Sequence, residues 1–261
     1  MIIHKLNYFP ENILETIIDD SKKEFVPDTS YTLVNGLVGD YFYKKINMPK
    51  IRDRFDGNYV NILIEYYKKL NQLIQCNEMV GVIEVNNDIY EISKKINSNK
   101  FLNNNINVTF DEIKKLFNKV MDGINKLEKC DDKTIGIDTA IWNYTRDGIF
   151  FDYDPPRFLR DNSLFVTSND DYKKRILYRN FNYIGMRTNA LATILLGNTG
   201  NNFKISNYSK DYVYELINIL LLSINNSDDL KKLKSELFGF DDLNDFSKHP
   251  INIIRKELKK K

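Results

Sequence analysis

The chain has 261 residues, of which 42% are hydrophobic and 13% aromatic, so it can bury a substantial core and disorder throughout is excluded. Its formal net charge is +2, with charges of both signs spread along the chain, which argues against a dedicated nucleic-acid-binding surface. No apolar segment is long enough to span a membrane, and the first residues lack the apolar core of a signal peptide. We therefore expect a soluble, cytoplasmic globular protein.

The few cysteines and histidines restrict the chemistry further. Cys76 and Cys130 are far apart and lack metal-ligand spacing, so we expect two reduced thiols. His4 and His249 are the only histidines, and both lie near the ends of the chain. Catalysis by a serine–histidine pair or a zinc–histidine site is therefore not expected, and a catalytic base should be a carboxylate.

The first 96 residues combine short β-like runs with two helical patterns. Pro10 opens the first helix, and the turn-forming pair Asn35-Gly36 separates two of the runs that follow it. The predicted strands cover residues 24–26, 31–34, 40–46, 79–85 and 88–93, and a helix is predicted over residues 58–75. The simplest arrangement of the first three strands is antiparallel, and Asn86-Asn87 forms the turn between the last two.

The Asn-rich stretch 97–107 is the best candidate for a linker between two lobes, 1–96 and 97–261. After it, Thr109 and Glu112 form a capping box that opens an amphipathic helix. Further helices are predicted over residues 171–196 (one or two), 209–224, 228–237 and 250–259. The predicted fold class is α+β, with a β-rich first lobe and a mainly helical second lobe.

The stretch from Thr134 to Arg157 carries the most chemistry. It places Asp138, Asn143, Asp152 and Asp154 around a short turn at residues 146–148, followed by an apolar run. An acidic residue that ends an apolar strand is costly unless it is solvated, paired or bound to a metal. Carboxylate and amide oxygens that converge in this way suit a hard cation such as Mg²⁺.

These residues resemble the catalytic motifs of the protein-kinase-like superfamily. Asp138-x-x-x-x-Asn143 is similar to the catalytic loop of that family, and Asp152-Tyr153-Asp154 to its second motif, an Asp followed by an aromatic residue. The resemblance is closest to small-molecule kinases of the aminoglycoside phosphotransferase and choline kinase type, since no Ala-Pro-Glu segment follows. It implies a two-lobed kinase-like fold.

The resemblance also implies nucleotide-binding residues in the first lobe. Lys44, in Tyr41-Phe42-Tyr43-Lys44-Lys45-Ile46, matches the phosphate-binding lysine of the third strand, and Lys45 on the opposite face is the alternative. Glu65 on the following helix is the expected carboxylate partner of that lysine. The adenine-binding hinge is expected at Ile92, Ser93 and Lys94.

The implied activity is transfer of a phosphoryl group from ATP to a hydroxyl of a small molecule, with Mg²⁺. Asp138 would be the catalytic base, Asn143 and Asp152 would hold Mg²⁺, and Asp154 would bind a second metal or cap a turn. The second lobe, over residues 160–261, would bind the acceptor. The alternatives are a catalytically inactive nucleotide-binding or interaction module, indicated by Gly136 where the family has His, or a kinase acting on a protein.

Simpler structural roles compete with these assignments. Asp138 would merely cap a turn, Asn143 would lie on a surface strand, and Lys44 would be solvated near a strand end. Arg157 would be exposed in a turn by default, or would reach back to a carboxylate or phosphate. A hydrolase that uses Asp138 and Asp152 is a further alternative.

Overall fold

The fold is described from a computed structural model. It describes residues 1–8, 10–22, 32–46, 58–102, 107–130, 134–153, 156–158, 170–199, 203–206, 208–239 and 248–259. The chain forms two compact units. The first comprises Met1–Gln72, Cys76–Asn97 and Tyr153–Pro156, and the second Leu73–Gln75, Ser98–Asp152 and Arg157–Lys261. A single break after residue 96 would place residues 73–75 in the first unit and residues 153–156 in the second. The structure has them the other way round.

The first unit contains a five-stranded antiparallel sheet, so the α+β class is confirmed. Its elements are β1 (Ile2–Lys5), α1 (Glu11–Ser21), β2 (Thr32–Val38), β3 (Tyr41–Ile46), α2 (Tyr59–Leu73), β4 (Met79–Val85) and β5 (Asp88–Lys94). The strand order is β1-β4-β5-β3-β2. Strand β1 was not predicted, and the strand predicted over residues 24–26 lies outside the described residues.

The prediction of a turn at Asn35-Gly36 is wrong, because both residues lie inside β2. The chain reverses instead at Gly39, which has a φ of +58°. Gly36 serves another purpose: a Cβ at this position would lie 2.5 Å from the Tyr43 hydroxyl, so only glycine lets that ring cross the strand. The predicted turn at Asn86-Asn87 is confirmed, and both residues have positive φ.

The sheet buries one face against α1. Ile13 and Ile17 of α1 pack on Tyr43, Tyr90 and neighbouring apolar side chains. The same face carries a buried hydrogen bond from the Tyr43 hydroxyl to Asp20. Burial of the hydroxyl, and secondly this hydrogen bond, raise the pKa of Tyr43 to about 12. The opposite face carries Lys44 and Glu91, and Tyr67 of α2 lies close to Glu91.

The second unit is mainly helical within its described residues. Its elements are β6 (Asn107–Val108), α3 (Phe110–Lys129), α4 (Asp170–Phe181), α5 (Tyr183–Thr199), β7 (Lys204–Ile205), α6 (Lys210–Leu222), α7 (Ser227–Phe238) and α8 (His249–Lys259). The Thr109–Glu112 capping box of α3 is confirmed. The stretch 171–196 forms two helices, and the Asn182 side chain accepts a hydrogen bond from the Gly185 N–H at the start of α5.

Helix α5 is central to this unit and packs against α3, α4, α6 and α8. Its buried side chains include Met186, Ala190 and Leu191, which explains why it is apolar around most of its circumference. Cys76 and Cys130 are both free thiols, as predicted. None of the helices in the described part of the chain is long and apolar enough to cross a membrane.

Candidate functional site

Lys44 in the first unit is buried and paired. Its side chain is 10% exposed, and its Nζ lies 3.2 Å from Oε2 of Glu91, the residue directly opposite it on β5. Glu65, the predicted partner on the helix, lies 3.7 Å from Lys69 in an exposed i,i+4 pair. Glu91 thus supplies a carboxylate to Lys44 within the sheet, because the strand register makes the two residues cross-strand neighbours. The pairing of Lys44 with Glu65 stays a prediction.

Lys45 occupies the opposite face of β3. Its Nζ lies 2.7 Å from Asp88 and 5.9 Å from the centroid of the Tyr90 ring, and its side chain is only 6% exposed. The alternative that Lys44 is solvated near a strand end is therefore wrong, and Lys45 is buried as well. Strand β3 carries two buried ammonium groups, one on each face of the sheet and each with its own carboxylate.

The predicted hinge residues belong to the interior of the sheet. Ile92, Ser93 and Lys94 lie in β5, which pairs with β4 on one side and β3 on the other. Ile92 is fully buried in the core that contains α1. Because backbone groups in a central strand are used by its neighbours, these residues are poorly placed to bind a base through their main chain. Their assignment as an adenine-binding hinge stays a prediction, which this strand pairing does not favour.

In the second unit, two short chain segments position Asp138. Gly136 N–H donates to the Arg157 carbonyl at 2.7 Å, and Ile135 forms an antiparallel bridge with Phe158. Ile137 N–H donates to the Asn180 carbonyl at the end of α4, at 2.9 Å. The two residues before Asp138 are therefore held by backbone hydrogen bonds to two different segments, one at Arg157 and one at Asn180.

Asp138 and Asn143 are joined by a tight loop. The Ala140 N–H donates to Oδ1 of Asp138 at 3.1 Å, and Nδ2 of Asn143 donates to the Asp138 carbonyl at 3.4 Å. A 3₁₀ turn, Ile141–Asn143, leaves Asn143 7% exposed. Asn143 is thus a buried turn residue rather than a surface strand residue, while Asp138 does cap a turn as the simpler interpretation proposed.

A hairpin then returns the chain to Asn143. Tyr144 forms an antiparallel bridge with Phe150, and Phe151 N–H donates to the Asn143 carbonyl at 3.1 Å. The turn contains Gly148 with a φ of +85°. Asp152 follows Phe151 directly and is partly exposed, so it comes one residue after the backbone contact with Asn143. Asp154 lies outside the described residues.

The oxygen donors of this hairpin fit a magnesium ion in their chemistry. Asn143 offers an amide oxygen and Asp152 a carboxylate, and Mg²⁺ is usually held by one or two carboxylates together with phosphate oxygens and water. Within the described parts of the chain, no three His, Cys, Asp or Glu side chains are grouped so that they could hold a metal ion by themselves.

Polar residues of α5 form hydrogen bonds with the loop between Asp138 and Asn143. The sequence interpretation did not identify them. Asn189 donates to the Thr139 hydroxyl at 3.2 Å, and that hydroxyl donates to the Met186 carbonyl at 2.7 Å. Thr193 accepts a hydrogen bond from the Ile141 N–H at 2.9 Å. The signal in the sequence was the presence of Asn and Thr among the apolar residues of this helix, because buried polar groups must find partners.

Gly136, where the resembled family has His, lies against the end of α4. A Cβ on this residue would lie 2.4 Å from the Asn180 carbonyl oxygen and 2.6 Å from the Phe181 ring. No side chain fits without displacing that helix end, so a histidine is excluded by packing.

We expect Gly136→Ala to lower the free energy of unfolding by about 1–3 kcal/mol, as for other overpacked sites. The added methyl group would push the Asn180 carbonyl away and strain its bond from Ile137. Urea unfolding followed by circular dichroism measures the change. An unchanged unfolding midpoint would show that the segment moves away from α4 at little cost, contrary to the packing described here.

Comparisons with protein-family models, with curated proteins and with solved structures found no match to this chain.

Proposed function

We propose that the protein is a phosphotransferase that moves a phosphoryl group from ATP to a hydroxyl of a small molecule, with Mg²⁺. The observation that supports the proposal most is the hydrogen bonding of the loop and hairpin. The Asn143 side chain donates to the Asp138 carbonyl, and the N–H of Phe151, the residue before Asp152, donates to the Asn143 carbonyl. A carboxylate base next to one amide and one carboxylate ligand is the set of groups that phosphoryl transfer requires. The two-lobed kinase-like fold remains part of this proposal.

The residues of the second unit would have different roles in the reaction. Asp138 would accept the proton of the acceptor hydroxyl, while Asn143 and Asp152 would hold Mg²⁺. The bound ion would neutralise charge on the phosphate oxygens. Little covalent work is left for the chain, so the main requirement is that these side chains stay in position. The hydrogen bond that Asn189 donates to this loop and the one that Thr193 accepts from it serve that requirement.

Lys44 would bind nucleotide phosphate from the first unit. Burial of a lysine is costly unless a carboxylate accompanies it, and Glu91 meets that need at 3.2 Å. The pair also fixes the direction of a long and flexible side chain, which reduces the entropy lost when a phosphate binds. The acceptor would be bound by the helical segments of the second unit, as the sequence suggested.

We expect Lys44→Met to weaken MgATP binding about 10- to 150-fold, the effect of losing one charged hydrogen bond worth roughly 1.5–3 kcal/mol. The measurement is the rise in melting temperature on addition of MgATP, relative to each variant without nucleotide. Lys45→Met is the matched control, because Lys45 is equally buried and paired but lies on the α1 face.

The control should lose stability and keep its response to MgATP. An equal loss of that response in Lys45→Met, or a full response in Lys44→Met, would contradict the assignment of Lys44. Omission of Mg²⁺ should also reduce the response of the wild-type chain, because Asn143 and Asp152 would hold the ion together with the nucleotide.

A second candidate is a non-catalytic interaction module on the same scaffold. The observation that favours it is the close packing of Gly136, which leaves no room for the histidine of the resembled family. The same thermal measurement separates the two functions. Absence of any response to ATP, with or without Mg²⁺, would favour the interaction module over the phosphotransferase.

A further inference from the structure

Arg157 lies beside Asp138, and the backbone holds it there. Its carbonyl accepts the Gly136 N–H at 2.7 Å, and the next residue, Phe158, forms the bridge with Ile135. These contacts place Arg157 opposite Gly136, two positions before Asp138. Its guanidinium reaches back so that Nη2 lies 3.5 Å from Oδ2 of Asp138.

The contact is largely withdrawn from water. The side chain of Arg157 is 16% exposed and that of Asp138 is 19% exposed. Removing two charges from water to this degree is costly, and such pairs contribute little net stability. At 3.5 Å the contact is also longer than a strong charge-assisted hydrogen bond, which is typically about 2.7–2.9 Å. Stability alone is therefore a weak reason for this pair.

The two oxygens of Asp138 have different surroundings. Oδ1 accepts the Ala140 N–H, whereas Oδ2 faces the guanidinium. The residues between Asp138 and Asn143 are Thr139, Ala140, Ile141 and Trp142, so the loop itself carries no cation. Arg157 supplies the positive charge that the loop lacks.

We propose that Arg157 contacts the phosphoryl group during its transfer to a hydroxyl bound at Asp138. The inference rests on the phosphotransferase function proposed above. In that step the acceptor oxygen forms a bond to the γ-phosphorus, and its proton passes to Asp138. The bond from that phosphorus to the bridging oxygen breaks, and its electron pair leaves on the nucleoside diphosphate.

The geometry places the guanidinium close to this reaction. A base must lie within about 2.6–3.2 Å of the hydroxyl that it deprotonates. A guanidinium 3.5 Å from the same base is therefore a near neighbour of the attacking oxygen, and of the phosphoryl oxygens that carry charge in the transition state. Arginine suits this position because its planar donors serve a carboxylate and a phosphate equally well.

The test compares a ground-state ligand with a transition-state analogue. Binding of MgADP alone, and of MgADP with aluminium fluoride, is measured by calorimetry on the full 261-residue chain. Aluminium fluoride should raise the affinity of the wild type for MgADP. Arg157→Gln should lose about tenfold or more of that increase, while its affinity for MgADP alone stays that of the wild type. Arg157→Lys should lose less, because it keeps the charge.

Arg146→Gln is the matched control, since Arg146 lies in the hairpin between Tyr144 and Phe150 and pairs with Glu112 rather than with Asp138. It should behave as the wild type. Full tightening in Arg157→Gln would overturn the role of Arg157 and leave the phosphotransferase function standing. A wild-type chain that binds no MgADP would overturn the proposed function itself. If circular dichroism shows that Arg157→Gln does not fold, the Arg157→Lys variant is used in its place. Wild-type tightening by aluminium fluoride in Arg157→Lys would contradict the proposal. A partial loss of that tightening would support the proposal only if the binding of MgADP alone is unchanged.

Discussion

Asp138→Asn is expected to lower MgATP turnover by about 10²–10⁴-fold, the usual contribution of a general base. The substitution removes the proton-accepting capacity and the negative charge, including the charge that faces the Arg157 guanidinium at 3.5 Å. The hydrogen bonds that shape the loop are kept. The amide oxygen can still accept the Ala140 N–H, and the bond from Asn143 goes to the backbone carbonyl of residue 138. The folded structure should therefore survive. Turnover is measured as nucleoside diphosphate released per chain, with water or an added hydroxyl compound as the acceptor.

Asp147→Asn is the matched control for this variant. Asp147 lies in the hairpin that follows the Asp138 loop, where it pairs with Lys100 at 2.9 Å and accepts a hydrogen bond from the Thr145 hydroxyl. Its loss should affect the turn but not the reaction. Undiminished turnover in Asp138→Asn, or an equal loss in Asp147→Asn, would exclude Asp138 as the base.

The hairpin was predictable because its signals are local. Turn residues at 146–148, an apolar run and a terminal Asp152 occupy a few consecutive positions, and the structure forms that turn with Gly148 at positive φ. Helix α3 was predictable for the same reason, since its capping box and its apolar stripe are both read within one segment.

The misplaced turn shows where local signals fail. An Asn-Gly pair is the strongest short-range hairpin signal, yet Asn35-Gly36 continues a strand. Gly36 is required there by the ring of Tyr43 on the next strand, and that contact depends on the register of two strands rather than on a dipeptide.

The partners of the candidate site depend on contacts between distant segments. Glu91 meets Lys44 because β3 and β5 pair in a particular register, across almost fifty residues of sequence. Asn189 reaches Thr139 only once α5 has packed beneath the loop. Residue types and spacing identify Lys44 and Asp138 as candidates, but they do not reveal which side chains hold them, because the choice is made by tertiary packing.

Removing the carboxylate of Glu128 should cost about 3–5 kcal/mol of unfolding free energy, the largest stability effect that we expect in this chain. Arg187 on α5 is fully buried, and its Nη2 lies 2.7 Å from Glu128. The same side chain contacts Asn125 and Ser223, so it ties α3, α5 and the end of α6 together. In Glu128→Ala the guanidinium stays buried without its counter-charge. Urea unfolding measures the loss.

The order of the variants tests this explanation. Arg187→Met should cost less than Glu128→Ala, because the charge left behind is then on Glu128, which is 25% exposed and can be solvated. Glu215→Ala is the control: it breaks the more exposed pair with Lys114, so we expect a change within about 1 kcal/mol. A smaller loss in Glu128→Ala than in Arg187→Met would show that desolvation of the arginine is not the dominant cost. The packing of the Arg187 side chain among three helices would then be what stabilises the second unit.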